Sequence, residues 1–118
     1  MITLYGIPNC DTVKKARVWL AAHGLDYQFH DFKKLGVPAE QLALWCEVLG
    51  WERVLNKKGT TWRQLDTAAQ AAVQDSASAQ ALLLQNTSAI KRPIVDWGDG
   101  TLSVGFDAVA WAERLPPA

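Results

Sequence analysis

Cys10 is the residue of this sequence best placed to do chemistry. It follows a short apolar run, Ile2 to Tyr5, and a loop, Gly6-Ile7-Pro8-Asn9, and it precedes Asp11 and Thr12, which suit a first helical turn. A cysteine at that point meets the orphan N–H groups and the positive dipole end of a helix, which favour thiolate over thiol. Lys14 and Arg17 add positive potential one and two turns on, and Asp11 opposes it. A cysteine at a helix start also reads as an inert surface residue; the strand and loop before it shift the balance toward reactivity. Val13 stands three positions on, so the first turn holds no second thiol and the site is a monothiol. A monothiol has to be resolved by another thiol. Cys46 lies with Leu42 and Leu49 on one apolar helix face and reads as a core residue first and a resolving partner second, so an external thiol such as glutathione is the better expectation.

Two basic loops are the other candidates. Lys91-Arg92-Pro93 precedes a predicted strand; a proline there suits a cis peptide, and Arg92 offers a planar fork for an oxyanion or carboxylate, although the same dipeptide reads equally as a solvated loop. Lys57 and Lys58 in Asn56-Lys57-Lys58-Gly59-Thr60-Thr61 close a site from another side or simply face water. His23 and His30 are isolated and read as structural or exposed. The six tryptophans fall mostly on helix faces and read as core or groove lining.

The elements that must position these residues follow from periodicity and turn chemistry. Ile2 to Tyr5 predicts a buried strand, Asp11 to His23 a helix with Gly24 just beyond its end, and Leu25 to Asp31 a half-buried strand, which together make one parallel βαβ unit. A second helix is expected from Pro38 to Leu49, ended by Gly50, with a short continuation from Trp51 to Leu55. A short helix is expected around Trp62 to Leu65, and two helices over Ala68 to Leu84 divided near Asp75-Ser76. Ser88 to Pro93 reads as a loop, Ile94 to Trp97 and Thr101 to Val104 as a hairpin about Gly98-Asp99-Gly100, and Phe106 to Leu115 as a helix capped by Asp107 and stopped by Pro116-Pro117.

The 118 residues argue for one domain. Balanced charge, 12 Lys plus Arg against 12 Asp plus Glu, supplies no broad field for nucleic acid or an anionic membrane, so any anion is bound locally. Two cysteines without histidine or cysteine neighbours exclude a structural zinc cluster, and no resident cofactor is expected. No apolar run approaches the ~18–20 residues of a membrane-crossing helix, and the N-terminus lacks a signal-peptide pattern, so the chain is expected to be cytoplasmic.

Tyr5-Gly6-Ile7-Pro8-Asn9-Cys10-Asp11-Thr12-Val13-Lys14-Lys15-Ala16, Asn56-Lys57-Lys58-Gly59-Thr60-Thr61 and Ile90-Lys91-Arg92-Pro93-Ile94 together resemble the ArsC/Spx family, especially its small YffB-like branch. The resemblance implies an α/β thioredoxin-like fold, with a small mixed four-stranded sheet, flanking helices and a helical segment inserted at about 37–87. It implies Cys10 as nucleophile, Arg92 as the basic partner of the thiolate or an oxyanion, and Pro93 as a cis proline. Asn9, Asp11, Thr12, Lys14, Lys57, Lys58 and Pro93 are then the residues facing substrate or glutathione. Arsenate reductases of this family resemble sites with three arginines around the cysteine; here the first falls on Asn56 and the third on Gly105, and only Arg92 remains. Losing two bidentate partners, at about 1.5–3 kcal/mol per charged hydrogen bond, weakens oxyanion binding by orders of magnitude. The redox-switch C-x-x-C of Spx-type regulators is broken by Val13. The expected function is a glutathione-dependent thiol oxidoreductase. Arsenate reduction with glutathione and glutaredoxin is the first alternative. The second is a non-catalytic regulator that docks on RNA polymerase through the inserted helices, around Trp62 and Arg63.

Overall fold

The run Ile2–Gly6 forms the strand β1, and it is apolar on both faces because it is a central strand: Leu4 and Tyr5, which point to opposite sides, are both buried. The computed structural model describes residues 1–115. β1 pairs in parallel with β2 (Tyr27–Asp31), Ile2 opposite Tyr27 and Gly6 opposite Asp31. On its other edge it pairs antiparallel with β3 (Ile94–Asp96), which pairs antiparallel with β4 (Leu102–Val104). The order β2-β1-β3-β4 is the mixed four-stranded sheet of a thioredoxin-like fold. Between β1 and β2 runs α1 (Asp11–Ala22), which buries Val13, Ala16 and Leu20. Gly24 follows its end at φ +68°, a backbone angle that favours glycine.

The chain divides into two compact units, one comprising Met1–Asp31 with the segment from Arg92 onward, the other Phe32–Lys91. In the sheet unit the core is Leu4, Val13, Ala16, Leu20, Val95, Trp97 and Trp111, the last supplied by α8 (Ala108–Ala112). Each such aliphatic side chain contributes about 1.5–3 kcal/mol by leaving water. Asp107 caps α8, accepting hydrogen bonds from the N–H groups of Val109 (3.0 Å) and Ala110 (3.2 Å). The helix is shorter than the expected Phe106 to Leu115 because its cap fixes the start and its turns loosen after Ala112. The expected stop at Pro116-Pro117 lies outside the described residues.

The helical unit contains α2 (Phe32–Leu35), α3 (Ala39–Trp45), α4 (Trp51–Val54), α5 (Thr60–Gln64), α6 (Thr67–Ala71) and α7 (Ser76–Gln85). Its core includes Phe32, Leu42, Trp45, Cys46, Leu49, Val54, Leu55, Ala79, Leu83 and Ile90. The expected single helix from Pro38 to Leu49 is two segments. Pro38 is its N-cap, and after Trp45 the backbone widens into a π-turn, Cys46–Gly50, that ends at Gly50 with φ +88°. Apolar spacing over five residues does not separate this wider turn from an α-turn. α2 was not expected, being too short for any period to register. β2 starts at Tyr27 instead of Leu25 because the Leu25 N–H is taken by the Leu20 carbonyl at 3.0 Å. The expected loop from Ser88 to Pro93 begins inside a 3₁₀ turn, Thr87–Ala89, and holds a bridge from Ile90 to Leu55.

Candidate active site

Cys10 is the N-cap of α1, with extended backbone (φ −144°, ψ 121°), and its carbonyl accepts the Lys14 N–H at 2.9 Å. Its side chain makes no capping hydrogen bond. An N-cap side chain faces the orphan N–H groups of the first turn, which are therefore open to a thiolate at this position. The thiol is half-buried and packs against the sheet-unit core. Gly6 explains part of the loop that delivers it: a Cβ there would lie 2.8 Å from Val13 Cγ2, so only glycine lets β1 pass this close to the first turn of α1.

Strand register brings the other members to the same end of the sheet. β1 ends at Gly6, just before the Cys10 loop; Tyr5 is paired with Ile94, so Arg92 and Pro93 enter β3 at that end. The Arg92–Pro93 peptide is cis, Pro93 is fully buried and Arg92 is half-buried. The Gly105 N–H donates to the Pro93 carbonyl at 2.9 Å, tying the end of β4 to the same corner. Asn9, Asp11, Thr12 and Lys14 are exposed around Cys10.

Arg17 is held against the neighbouring strand. Its Nε donates to the Tyr27 hydroxyl at 3.0 Å and its guanidinium lies 4.2 Å from the Phe29 ring centroid, so it is spent on fastening α1 to β2. The structure adds Asp31, a strand end by its sequence position. It pairs with Gly6 at this end of the sheet and is buried. A carboxylate closing a strand and followed directly by Phe32 was the available signal.

Lys57 and Lys58 belong to the helical unit. The Lys57 ammonium lies 5.6 Å from the Trp62 ring centroid and 5.9 Å from that of Trp51. Asn56 Oδ1 accepts the Lys58 N–H at 3.2 Å, and a Cβ on Gly59 would meet Asn56 Nδ2 at 2.8 Å, so this basic loop is a tight asparagine-centred turn. Cys46 is buried there, and burial raises its thiol pKa.

The ArsC family model matches residues 5–113. The chain belongs to the ArsC family. A solved structure of a YFFB protein aligns at 46% identity with a TM-score of 0.92, covering 98% of this chain and 100% of that one. The solution structure of an arsenate reductase (ArsC) related protein from Brucella melitensis is 47% identical, with a TM-score of 0.75 over 95% of this chain and 92% of that one. At lower identity, 26% over 91% of this chain and 79% of the relative, stands the global transcriptional regulator Spx of Streptococcus pyogenes. This ArsC chain is thus similar over most of its length to a protein described as arsenate reductase related and, at lower identity, to one named as a transcriptional regulator. No helix among the described residues is long and apolar enough to cross a membrane.

Proposed function

We propose that this ArsC-family chain is a monothiol oxidoreductase with Cys10 as nucleophile and glutathione as co-substrate. One observation carries the proposal: Cys10 occupies the N-cap of a twelve-residue helix without using its sulfur to cap it. In the first step the Cys10 thiolate attacks one sulfur of a glutathione mixed disulfide. A new S–S bond joins Cys10 to glutathione, the old S–S bond breaks, and the departing thiolate leaves with the electron pair and takes a proton from water. A second glutathione thiolate then attacks the adduct, releasing oxidised glutathione and restoring the Cys10 thiolate. The first-turn N–H groups of α1 stabilise the thiolate in both steps. Arg92 and Lys14 are the cations proposed to meet the glutathione carboxylates. Asn9, Asp11 and Thr12 are the polar groups proposed to line the entrance, beside Pro93.

Incubation with oxidised glutathione is expected to place a single glutathione adduct on Cys10, read by peptide mass spectrometry. Turnover of a glutathione mixed disulfide is expected to fall at least about a thousandfold in Cys10→Ser. Equal turnover by Cys10→Ser, or no adduct at Cys10, sinks the proposal.

Arsenate reduction is the second reading, favoured by the Brucella relative's description. It predicts arsenate-dependent oxidation of a nicotinamide-linked glutathione and glutaredoxin system, which the single retained arginine argues against. Docking on RNA polymerase is favoured by the Spx relatives and predicts that polymerase pull-down survives Cys10→Ser.

A further inference from the structure

α1 carries more than Cys10. Positions 10, 14, 18 and 22 follow one another at the i, i+4 spacing that stacks side chains along one helix face. Cys10, Lys14, Val18 and Ala22 therefore form a ridge that begins at the thiol, and Lys15, Trp19 and His23 form the ridge beside it. The two ridges and Phe106 enclose an open groove of about 420 Å³, lined by Lys14, Lys15, Val18, Trp19, Ala22, His23 and Phe106. Every one of these residues belongs to the sheet unit.

The groove has a firm apolar floor. Trp19 and Phe106 both set their rings edge-on against the buried Trp111, at 5.5 Å and 4.7 Å between centroids, and His23 stacks on Trp19 at 4.0 Å. Val18 is 67% exposed in the open part of the groove. The rim nearest Cys10 is basic: Lys14 and Lys15 are exposed, and their ammonium groups enter no hydrogen bond or ion pair among the described residues. Asp107, next to Phe106, is engaged in capping α8, and Asp11 stands one turn before Lys14 and Lys15 on α1. An apolar floor with unpaired ammonium groups at one end is complementary to a molecule with an apolar body and a negative head. Its volume falls in the range of small-molecule sites, roughly 300–1,000 Å³.

We propose that this groove binds a small amphipathic anion, an aromatic or branched apolar body carrying a carboxylate or sulfonate, with the anion at Lys14 and Lys15 and the apolar part on Val18, Trp19 and Phe106. An occupant seated this way has its charged end about one helical turn, or roughly 5 Å along the axis, from Cys10. The groove consequently favours, among disulfides offered to Cys10, those with an arm of this chemistry; this second part rests on Cys10 being the reacting group, and the first does not. The exchange itself is the one already described: the S–S bond of the disulfide breaks, one arm stays on Cys10 and the other leaves as a thiolate.

The test uses the full chain and three variants, Val18→Glu, the double variant Lys14→Glu/Lys15→Glu, and Cys10→Ser, each checked for native fold by far-ultraviolet circular dichroism. The probe is anilinonaphthalene sulfonate, an aromatic anion followed by its fluorescence. Saturable one-site binding is expected, weakened about tenfold or more by Val18→Glu and about fivefold or more by the double reversal, and unchanged within about twofold by Cys10→Ser. Equal affinity in all four proteins, or no saturable binding, overturns the site. Self-association of the wild type that Val18→Glu abolishes overturns the small-molecule assignment in favour of a second copy of the chain. The link to the thiol is read from the rate of Cys10 with dithiobis(nitrobenzoate), an anionic aromatic disulfide, relative to neutral dithiodipyridine. That ratio is expected to fall about fivefold or more in Val18→Glu. An unchanged ratio in a variant that has lost the probe overturns the link. Failure of Cys10 to react with either disulfide, with probe binding intact, overturns the proposed function and this link while leaving the groove supported.

Discussion

Gly105 has φ +81° while its N–H holds the Pro93 carbonyl, so the position next to the candidate site is reserved for a residue without a side chain. Gly105→Arg is therefore expected to cost about 1–2 kcal/mol in urea unfolding and to confer no arsenate-dependent activity in the glutathione and glutaredoxin assay. A stable variant that reduces arsenate would show that the backbone there tolerates the arginine the family's reductases resemble having. Cys46 provides the second prediction at this scale. Burial raises its thiol pKa, so the folded state holds it neutral to higher pH than the unfolded chain does; any stability this gives is lost as pH rises above the ordinary thiol range of about 8.5. Iodoacetamide at mildly alkaline pH should label Cys10 in the native protein and reach Cys46 only in denaturant, as peptide mapping would show. Cys10 and Cys46 were separable in the sequence because one follows a Gly/Pro loop and the other sits between Leu42 and Leu49. Arg17 was not, since spacing along α1 says nothing of the Phe29 ring on the neighbouring strand that captures it.

Among the elements, α7 has the most complete N-terminal cap. Asp75 Oδ1 accepts the Ser78 N–H at 2.9 Å and the Ser78 hydroxyl at 2.7 Å, while the Asp75 N–H donates back to Ser78 Oγ at 3.1 Å. These bonds lower the Asp75 carboxyl pKa, the Ser78 N–H contributing most. A carboxyl with a depressed folded pKa stabilises fully above its unfolded value, about 3.9, and loses that contribution as pH falls through the folded value. Asp75→Asn keeps a capping oxygen without the titration, so its urea midpoint should drop less between pH 7 and about pH 3 than that of the wild type. An equal drop would remove Asp75 from the acid limb. The division near Asp75-Ser76 was readable because an aspartate and a serine interrupt an alanine-rich run. The π-turn Cys46–Gly50 was not, because its buried Cys46 and Leu49 satisfy the same apolar spacing as an unbroken helix. β1, α1 and the β3–β4 hairpin were legible for the opposite reason: a short apolar run closed by a Gly/Pro loop, a 3.6-residue period and a Gly-Asp-Gly turn each point to one local structure.

For the molecule as a whole, stability is not evenly spread. α5 and α6 bury no residue completely, and α5 has no side-chain cap, whereas β1 and β3 carry Leu4, Ile94 and Val95 with no measurable exposure. Amides of Thr60–Gln64 and Thr67–Ala71 are thus expected to exchange with deuterium well before those of Ile2–Gly6 and Ile94–Asp96, measured by peptide-resolved mass spectrometry. Comparable rates would mean that the helical unit opens only with the sheet. The unit Phe32–Lys91 is marked by no shift in charge or composition, and the insertion expected at about 37–87 came from the family resemblance and not from the residues themselves. The tryptophans respect the same division: Trp19, Trp97 and Trp111 belong to the sheet unit, and Trp45, Trp51 and Trp62 to the helical one. The first three are joined edge-on, Trp97 and Trp19 against Trp111 at 4.8 Å and 5.5 Å between centroids. Fixed indole pairs of this kind generate near-ultraviolet circular dichroism that vanishes when side-chain packing loosens, even where helices persist. The protein therefore carries an intrinsic optical gauge of its sheet-unit core, and Trp19 extends that gauge to the floor of the α1 groove.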